Sequence, residues 1–109
     1  MGLFVKGDIV VIPFPFSDLR QVKRRPALVI ANVTGNDLIL CQITSKYHDD
    51  TWSIPLYPSD MNSGILKELS YIRPDKLFTA DVSMIQYALG HVQDTITQKV
   101  VDMIISIIR

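Results

Sequence analysis

The chain has 109 residues, eleven basic and eleven acidic, with a sequence pI near 6.7 and a positive mean hydropathy of +0.22. That length makes one domain able to bury about two-thirds of the surface its unfolded form exposes, without a disulfide or metal staple. The 48% hydrophobic content excludes a disordered chain, and the balanced charge excludes a global field that draws the protein to nucleic acid, so any such interface must arise from local placement. The single cysteine, Cys41, excludes an intramolecular disulfide framework and fits a reducing compartment, the cytoplasm by default. The N-terminal "MGLFVKGD" lacks the apolar core of a signal peptide, and the terminal "VVDMIISIIR" is broken by Asp102 and too short to span a bilayer.

Residues 8–13 ("DIVVIP"), 26–32 ("PALVIAN") and 38–45 ("LILCQITS") are β-branched runs separated by turn chemistry and read as strands. Gly35 and Asn36 in "VTGND" tolerate a tight turn, so the second and third runs form an antiparallel hairpin. Residues 52–57, "WSIPLY", carry Pro55 and predict an edge strand or bulge. Residues 58–63 read as a loop, and "GILKEL" after them as a helical turn or an irregular connection. In "SYIRPDKLFT", from 70 to 79, a period of two sets Tyr71, Arg73 and Asp75 on one strand face and Ser70, Ile72 and Pro74 on the other, provided Pro74 does not break the run.

"DVSMIQYALG", 81–90, fits a short helix closed by Gly90, with His91 in the connection that follows. "TITQ" matches a capping box, Thr95 as N-cap and Gln98 reaching back, and Ile96, Val100, Ile104 and Ile107, joined by Val101 and Ile108, then form an apolar stripe for packing on the sheet. The gaps before residue 64 are too short for the helices of a parallel sheet. The fold class is therefore α+β: a small, strongly curved antiparallel sheet or barrel with a C-terminal helix.

The sequence has no GxxxxGK loop, GxSxG elbow, CxxC pair or HExxH spacing. His48 beside Asp49 and Asp50 is a weak metal-like cluster that reads more simply as a solvated loop, and Cys41 in its apolar strand reads as a buried, inert thiol. Four cations, Arg20, Lys23, Arg24 and Arg25, fall within "RQVKRR" without an intervening acid, and the last abuts Pro26. A cation fixed at a strand mouth by a rigid proline suits phosphate binding, although a solvated hairpin tip has the same composition. Thr44, Ser45, Arg73 and Asp75 complete a polar set at strand ends, each with a structural alternative in turns or surface ion pairs.

Taken together, "KGDIVVIPFPFSDLRQVKRRPALVIAN", "CQITSK", "SYIRPDKLFTAD" and "ALGHV" resemble, in order and over nearly the whole chain, the MazF/PemK-family toxins. The resemblance implies an SH3-like barrel with a packed C-terminal helix. It also implies a homodimeric, cofactor-free and metal-independent endoribonuclease that cleaves single-stranded mRNA through the 2′-hydroxyl, silenced by a cognate antitoxin. On that basis Arg25 binds the scissile phosphate, Thr44 orients it, Asp75 is the base and Arg73 the phosphate or leaving-group partner. Ser17, Arg20, Lys23, Arg24, Ser45, Lys46 and Tyr47 are expected to contact RNA, with Trp52 a further stacking candidate. Some family members carry a first-loop histidine that "PFSDLRQVKRR" lacks, and neither Ser17 nor Asp18 replaces an imidazole as a proton shuttle. Two alternatives share the architecture: a non-catalytic barrel that binds nucleic acid or peptide, and a gyrase-directed toxin.

Overall fold

The structure, a computed structural model, describes residues 4–15 and 22–109. Its elements run β1 (Asp8–Pro15), β2 (Val22–Asn32), β3 (Asp37–Thr44), β4 (Ile54–Leu56), β5 (Met61–Gly64), β6 (Ser70–Asp81), β7 (Tyr87–Val92) and α1 (Asp94–Ile108). All pairings are antiparallel, in the order β4-β6-β3-β2-β1-β7-β5. This is a curled seven-stranded sheet with one C-terminal helix, the α+β class expected from the sequence.

Alternation builds a core on both faces of the sheet. Ile9, Leu28, Cys41, Ile43 and Ile72 point to one side, where Ile96, Val100 and Ile104 of α1 meet them. Val10, Ile12, Ala27, Val29, Leu38 and Leu40 point to the other, covered by Phe4, Phe14, Phe78, Val82 and Ile85. Burial on both faces explains why β1 and β2 read as unbroken apolar runs. Gly35, at φ +77°, turns the β2–β3 hairpin, and Pro55 sits on the edge strand β4.

Three sequence expectations are corrected. Residues 58–63 are not simply loop: a 3-10 turn at Pro58–Asp60 leads into β5. Residues 81–90 form a 3-10 turn at Val82–Met84 followed by β7, not a helix. Gly90 closes no helix there; it pairs with both Ile9 and Gly64, and a Cβ on it would lie 2.2 Å from the Ser63 carbonyl oxygen. Close backbone approach, not a left-handed cap, is what requires glycine. His91 accordingly lies in β7, its Nδ1 2.8 Å from Asp8 Oδ1, rather than in a helix connection.

The third correction concerns α1, whose N-cap is Gln93 instead of Thr95 and has no side-chain cap bond. Gln93 is held by its own N–H on Asp60 O and its Nε2 on Ser59 O, so the preceding turn fixes the helix start, and Gln98 donates to Asp102 instead of reaching back. The apolar stripe buries Ile96, Val100 and Ile104 but leaves Ile107 and Ile108 exposed. Among the described residues, no helix is long and apolar enough to cross a membrane.

Candidate active site

A groove of about 1250 Å³ opens where β2 begins and β3 ends. Its position follows from the registers. Ile12 pairs with Arg25, and paired residues of an antiparallel ladder share a face, so Arg25 extends the row of Ala27 and Val29. The β2–β3 ladder ends at Ala27↔Gln42, which leaves Arg25 and Thr44 each two residues beyond it at the same end of the sheet. On the far side of β3, Gln42 pairs with Arg73 and Thr44 with Tyr71. Residues distant in sequence thereby reach one wall: Arg25, Thr44 and Arg73 all line the groove, as do Lys23, Arg24, Ser45 and Lys46.

Pro74 does interrupt the regular strand. Cys41 and Gln42 are adjacent on β3, yet their partners on β6 are Leu77 and Arg73, so Pro74, Asp75 and Lys76 form a bulge. The proline ring is fully buried, and the bulge returns Asp75 to Arg73, with Oδ1 3.4 Å from Nε and Oδ2 3.4 Å from Nη2. Arg73 also lies 3.8 Å from Asp50 Oδ2, and its side chain is only 10% exposed. A nearly buried guanidinium between two carboxylates has its direction fixed before any ligand arrives. Asp75 itself is absent from the groove wall.

The loop after β3 is pinned at both ends. Thr44 Oγ1 accepts from Lys46 N at 3.1 Å, leaving its O–H able to donate. Asp50 accepts from Trp52 N, Ser53 N and Ser53 Oγ at 3.1, 2.7 and 3.0 Å. Burial alone would raise the Asp50 pKa, but these bonds, with Arg73 beside it, outweigh that effect and hold the carboxyl below its usual range. Between these anchors His48 lines the groove and Tyr47 stands exposed, edge-on to Tyr71 with ring centroids 5.7 Å apart. Trp52 lies away from the groove wall, partly buried, with Nε1 enclosed and unpartnered. Burial pushes the Cys41 thiol up to about 12, with the Asp75 charge adding to the effect, and its Sγ donates to Arg73 O; this is the inert thiol the sequence suggested.

Among the described residues, seven cations, Lys23, Arg24, Arg25, Lys46, Lys67, Arg73 and Lys76, line the groove, against one carboxylate, Glu68. A chain with no net charge thus concentrates most of its eleven Lys and Arg residues on one concave surface. Such a surface attracts polyanions.

A family model described as PemK-like, MazF-like toxin of type II toxin-antitoxin system matches residues 5–108. The chain belongs to this toxin family. The MazE–MazF complex (Form-II) from Deinococcus radiodurans superposes with a TM-score of 0.76 at 18% identity, covering 98% of this chain and 96% of that one. An endoribonuclease in complex with its cognate antitoxin from a Mycobacterial species gives 0.73 at 16% identity, over 94% and 92% of the two chains. The Mycobacterium tuberculosis toxin MazF-mt6 gives 0.70 at 15%, over 89% and 91%. No match was found among curated proteins.

Of the residues the sequence nominated in this toxin-family chain, Tyr47 and Asp75 adjoin the groove without lining it, and Ser17 and Arg20 lie outside the described residues. Sequence reasoning missed His48, Gln42, Lys67, Lys76 and Tyr87 on the wall. "KYHDDT" did flag His48, but as half of a metal-like cluster; the structure separates that cluster, turning Asp50 to Arg73 and His48 to the groove. Lys67 and Lys76 carried no local signal, because a strand pairing and a bulge bring them in.

Proposed function

We propose that this toxin is an endoribonuclease that cleaves single-stranded mRNA without a metal or cofactor, using the 2′-hydroxyl beside the scissile phosphate as nucleophile. The observation that carries the reading is the convergence of Arg25, Thr44 and Arg73 on one basic groove in an otherwise neutral chain. Attack by the 2′-oxygen builds a doubly charged phosphorane, and two guanidinium forks with a hydroxyl donor are suited to that charge. Arg25 and Arg73 bind the non-bridging oxygens, Thr44 donates to one of them, and Asp75 aims Arg73. Lys23, Arg24, Ser45 and Lys46 carry the backbone of the RNA, while Tyr47 offers an exposed ring for a base. Ser17 and Arg20 belong to the same RNA-contacting set.

The protein acts in the cytoplasm as a homodimer that a cognate antitoxin silences. Similar solved structures include a MazE–MazF complex and an endoribonuclease with its cognate antitoxin, which supports the partner. Ile105, Ile107 and Ile108, 46%, 41% and 72% exposed at the end of α1, supply apolar surface for assembly. Sedimentation that shows only monomer at micromolar concentration would remove the dimer.

The test is incubation with a long, sequence-diverse RNA in EDTA, beside its 2′-deoxy counterpart and an Arg25→Ala control. Fragments with cyclic-phosphate and 5′-hydroxyl ends, produced from RNA by the unaltered protein alone, are the expected result. Intact RNA throughout would overturn the nuclease reading, and a gel shift without cleavage would favour a binding module.

A further inference from the structure

We infer that His48 is the general base of this site, taking the proton from the attacking 2′-hydroxyl. The inference rests on the nuclease reading above and supplies the role that reading leaves empty. The groove is rich in donors: Arg25, Arg73, Lys46 and Lys76 are cations with no lone pair to offer. Among the described residues, His48 apart, what it lacks is an acceptor that takes a proton near neutral pH. Asp75 is turned to Arg73 by both carboxylate oxygens and does not line the groove. Glu68, the one acid on the wall among the described residues, is exposed in the connection that leads into β6, and an exposed carboxylate is a weaker proton acceptor than an imidazole. His48 is the sole imidazole on the wall, and an imidazole is the side chain ordinarily suited to proton exchange at this pH.

Its placement is held by the site itself. His48 sits four residues after Thr44 and two before Asp50. Thr44 Oγ1 accepts from Lys46 N and so fixes the start of the loop. The end is fixed by Asp50, whose carboxylate grips Trp52 and Ser53 and faces Arg73 at 3.8 Å, while Asp50 N donates to His48 O at 3.0 Å. Thr44, assigned to the phosphate, and Asp50, which faces Arg73, therefore anchor the segment that presents the imidazole, which is the kind of support a proton-transfer group needs. A loop in contact with solvent alone would provide no such support.

The step balances within the groove. The 2′-O–H proton passes to the unprotonated imidazole nitrogen, the freed oxygen pair forms the O2′–P bond, and the P–O5′ bond breaks with its electrons on O5′. That oxygen takes a proton from water, and the imidazolium returns its own to solvent. The charged groups on the same wall, among the described residues, are Lys46 from the loop, Lys23, Arg24 and Arg25 from β2, Arg73 and Lys76 from β6, and Lys67 and Glu68 before β6.

The test uses an oligonucleotide spanning a cut first mapped with the unaltered protein. His48→Ala is expected to slow cleavage at neutral pH by about 10²–10⁴-fold and to remove the acid limb of the pH–rate profile. Binding of the 2′-deoxy oligonucleotide should stay within about threefold of the unaltered protein, because the phosphate-binding cations are untouched. Imidazoles added to the buffer should restore the rate of His48→Ala, more so as their basicity rises, and His48→Gln, which fills the same space, should be as slow but not rescued. Rescue also shows that the variant is folded. Cleavage by His48→Ala at the normal rate, or a loss matched by weaker 2′-deoxy binding with an unchanged pH profile, would overturn the assignment. An unaltered protein that cuts no RNA would instead overturn the nuclease reading itself.

Discussion

Replacing Asp75 by asparagine asks whether this carboxylate acts on the substrate or on Arg73. The Arg73 guanidinium is 10% exposed, with Asp75 oxygens 3.4 Å away and Asp50 at 3.8 Å. Opposite charges at that separation attract by about 5 kcal/mol at an effective dielectric near 20. Several features reduce the net value. The contacts are longer than the roughly 2.8 Å of a tight charge-assisted bond. Asp75 is 24% exposed, Arg73 keeps Asp50, and desolvation offsets much of the Coulomb attraction. We expect Asp75→Asn to cost about 1–2 kcal/mol, lowering Tm by on the order of 5–10 °C in a domain of this size. Urea unfolding of the wild type, Asp75→Asn, Arg73→Met and the double variant should return a coupling of similar size. In the cleavage assay, loss of aim should lower kcat by about 10–100-fold with KM little changed. A coupling below about 0.3 kcal/mol would refute the positioning argument. A kcat loss in Asp75→Asn as deep as that of Arg73→Met would place the carboxylate on the reacting atoms.

The remaining predictions address other parts of the same scaffold. Because the Asp50 pKa is depressed in the fold, its contribution to stability is complete above its unfolded value of about 3.9 and is lost as pH falls through the lower folded value. Asp50→Asn should therefore flatten the acid limb of a stability-versus-pH curve, and an unchanged limb would refute the linkage. Cys41, with its thiol pushed up to about 12, should resist iodoacetamide at pH 8 until the protein unfolds; labelling at the rate of a free thiol would contradict its burial. Gly64→Ala would bring a Cβ to 2.1 Å from the Leu89 carbonyl oxygen at φ +79°, and should cost more than about 3 kcal/mol and detach the β5 edge. Gly35→Ala, at φ +77° but in open space, should cost only about 1–2 kcal/mol, so equal losses in urea titrations would show that the close approach is not what matters. If the groove engages about five phosphates, log K for single-stranded RNA should fall against log salt with a slope near −3.5, and a flat dependence would remove the electrostatic argument.

The fold was legible wherever one physical rule decided the outcome. The apolar runs of β1, β2 and β3, the Gly35 turn and the edge placement of Pro55 each follow from local chemistry that nothing distant opposes. Legibility failed where a long-range contact chose between local options. "YALG" is compatible with a helix in isolation, but Gly90 is flanked by Ile9 and Gly64 in the sheet, and only a strand makes both contacts. "TITQ" has the letters of a capping box, yet Gln93 is seized by Ser59 and Asp60, and the helix begins earlier. For the site, the resemblance singled out Arg25, Thr44 and Arg73, and the registers bring all three to the groove. Their proximity was not readable, since it depends on two ladders and a bulge.

The pattern of charge explains how a neutral chain can serve a polyanionic substrate. Two acids, Asp50 and Asp75, stay in the neighbourhood of the groove without lining it. Asp50 and Asp75 face Arg73 from off the wall, so they orient and partly desolvate the cation without presenting carboxylates to an incoming phosphate. An exposed acid in either position would repel that phosphate at close range, whereas one bound to the guanidinium limits the entropy lost when the phosphate binds. The same Asp50 closes the loop that carries His48, so one carboxylate sets the direction of Arg73, the proposed phosphate ligand, and the position of His48, the proposed proton acceptor. On the proposed reading, the geometry of the site is thus coupled through carboxylates that do not line the groove. Perturbing Asp50 should consequently reduce catalysis more than it reduces RNA affinity, because the cations on the wall remain in place while their alignment with His48 is lost.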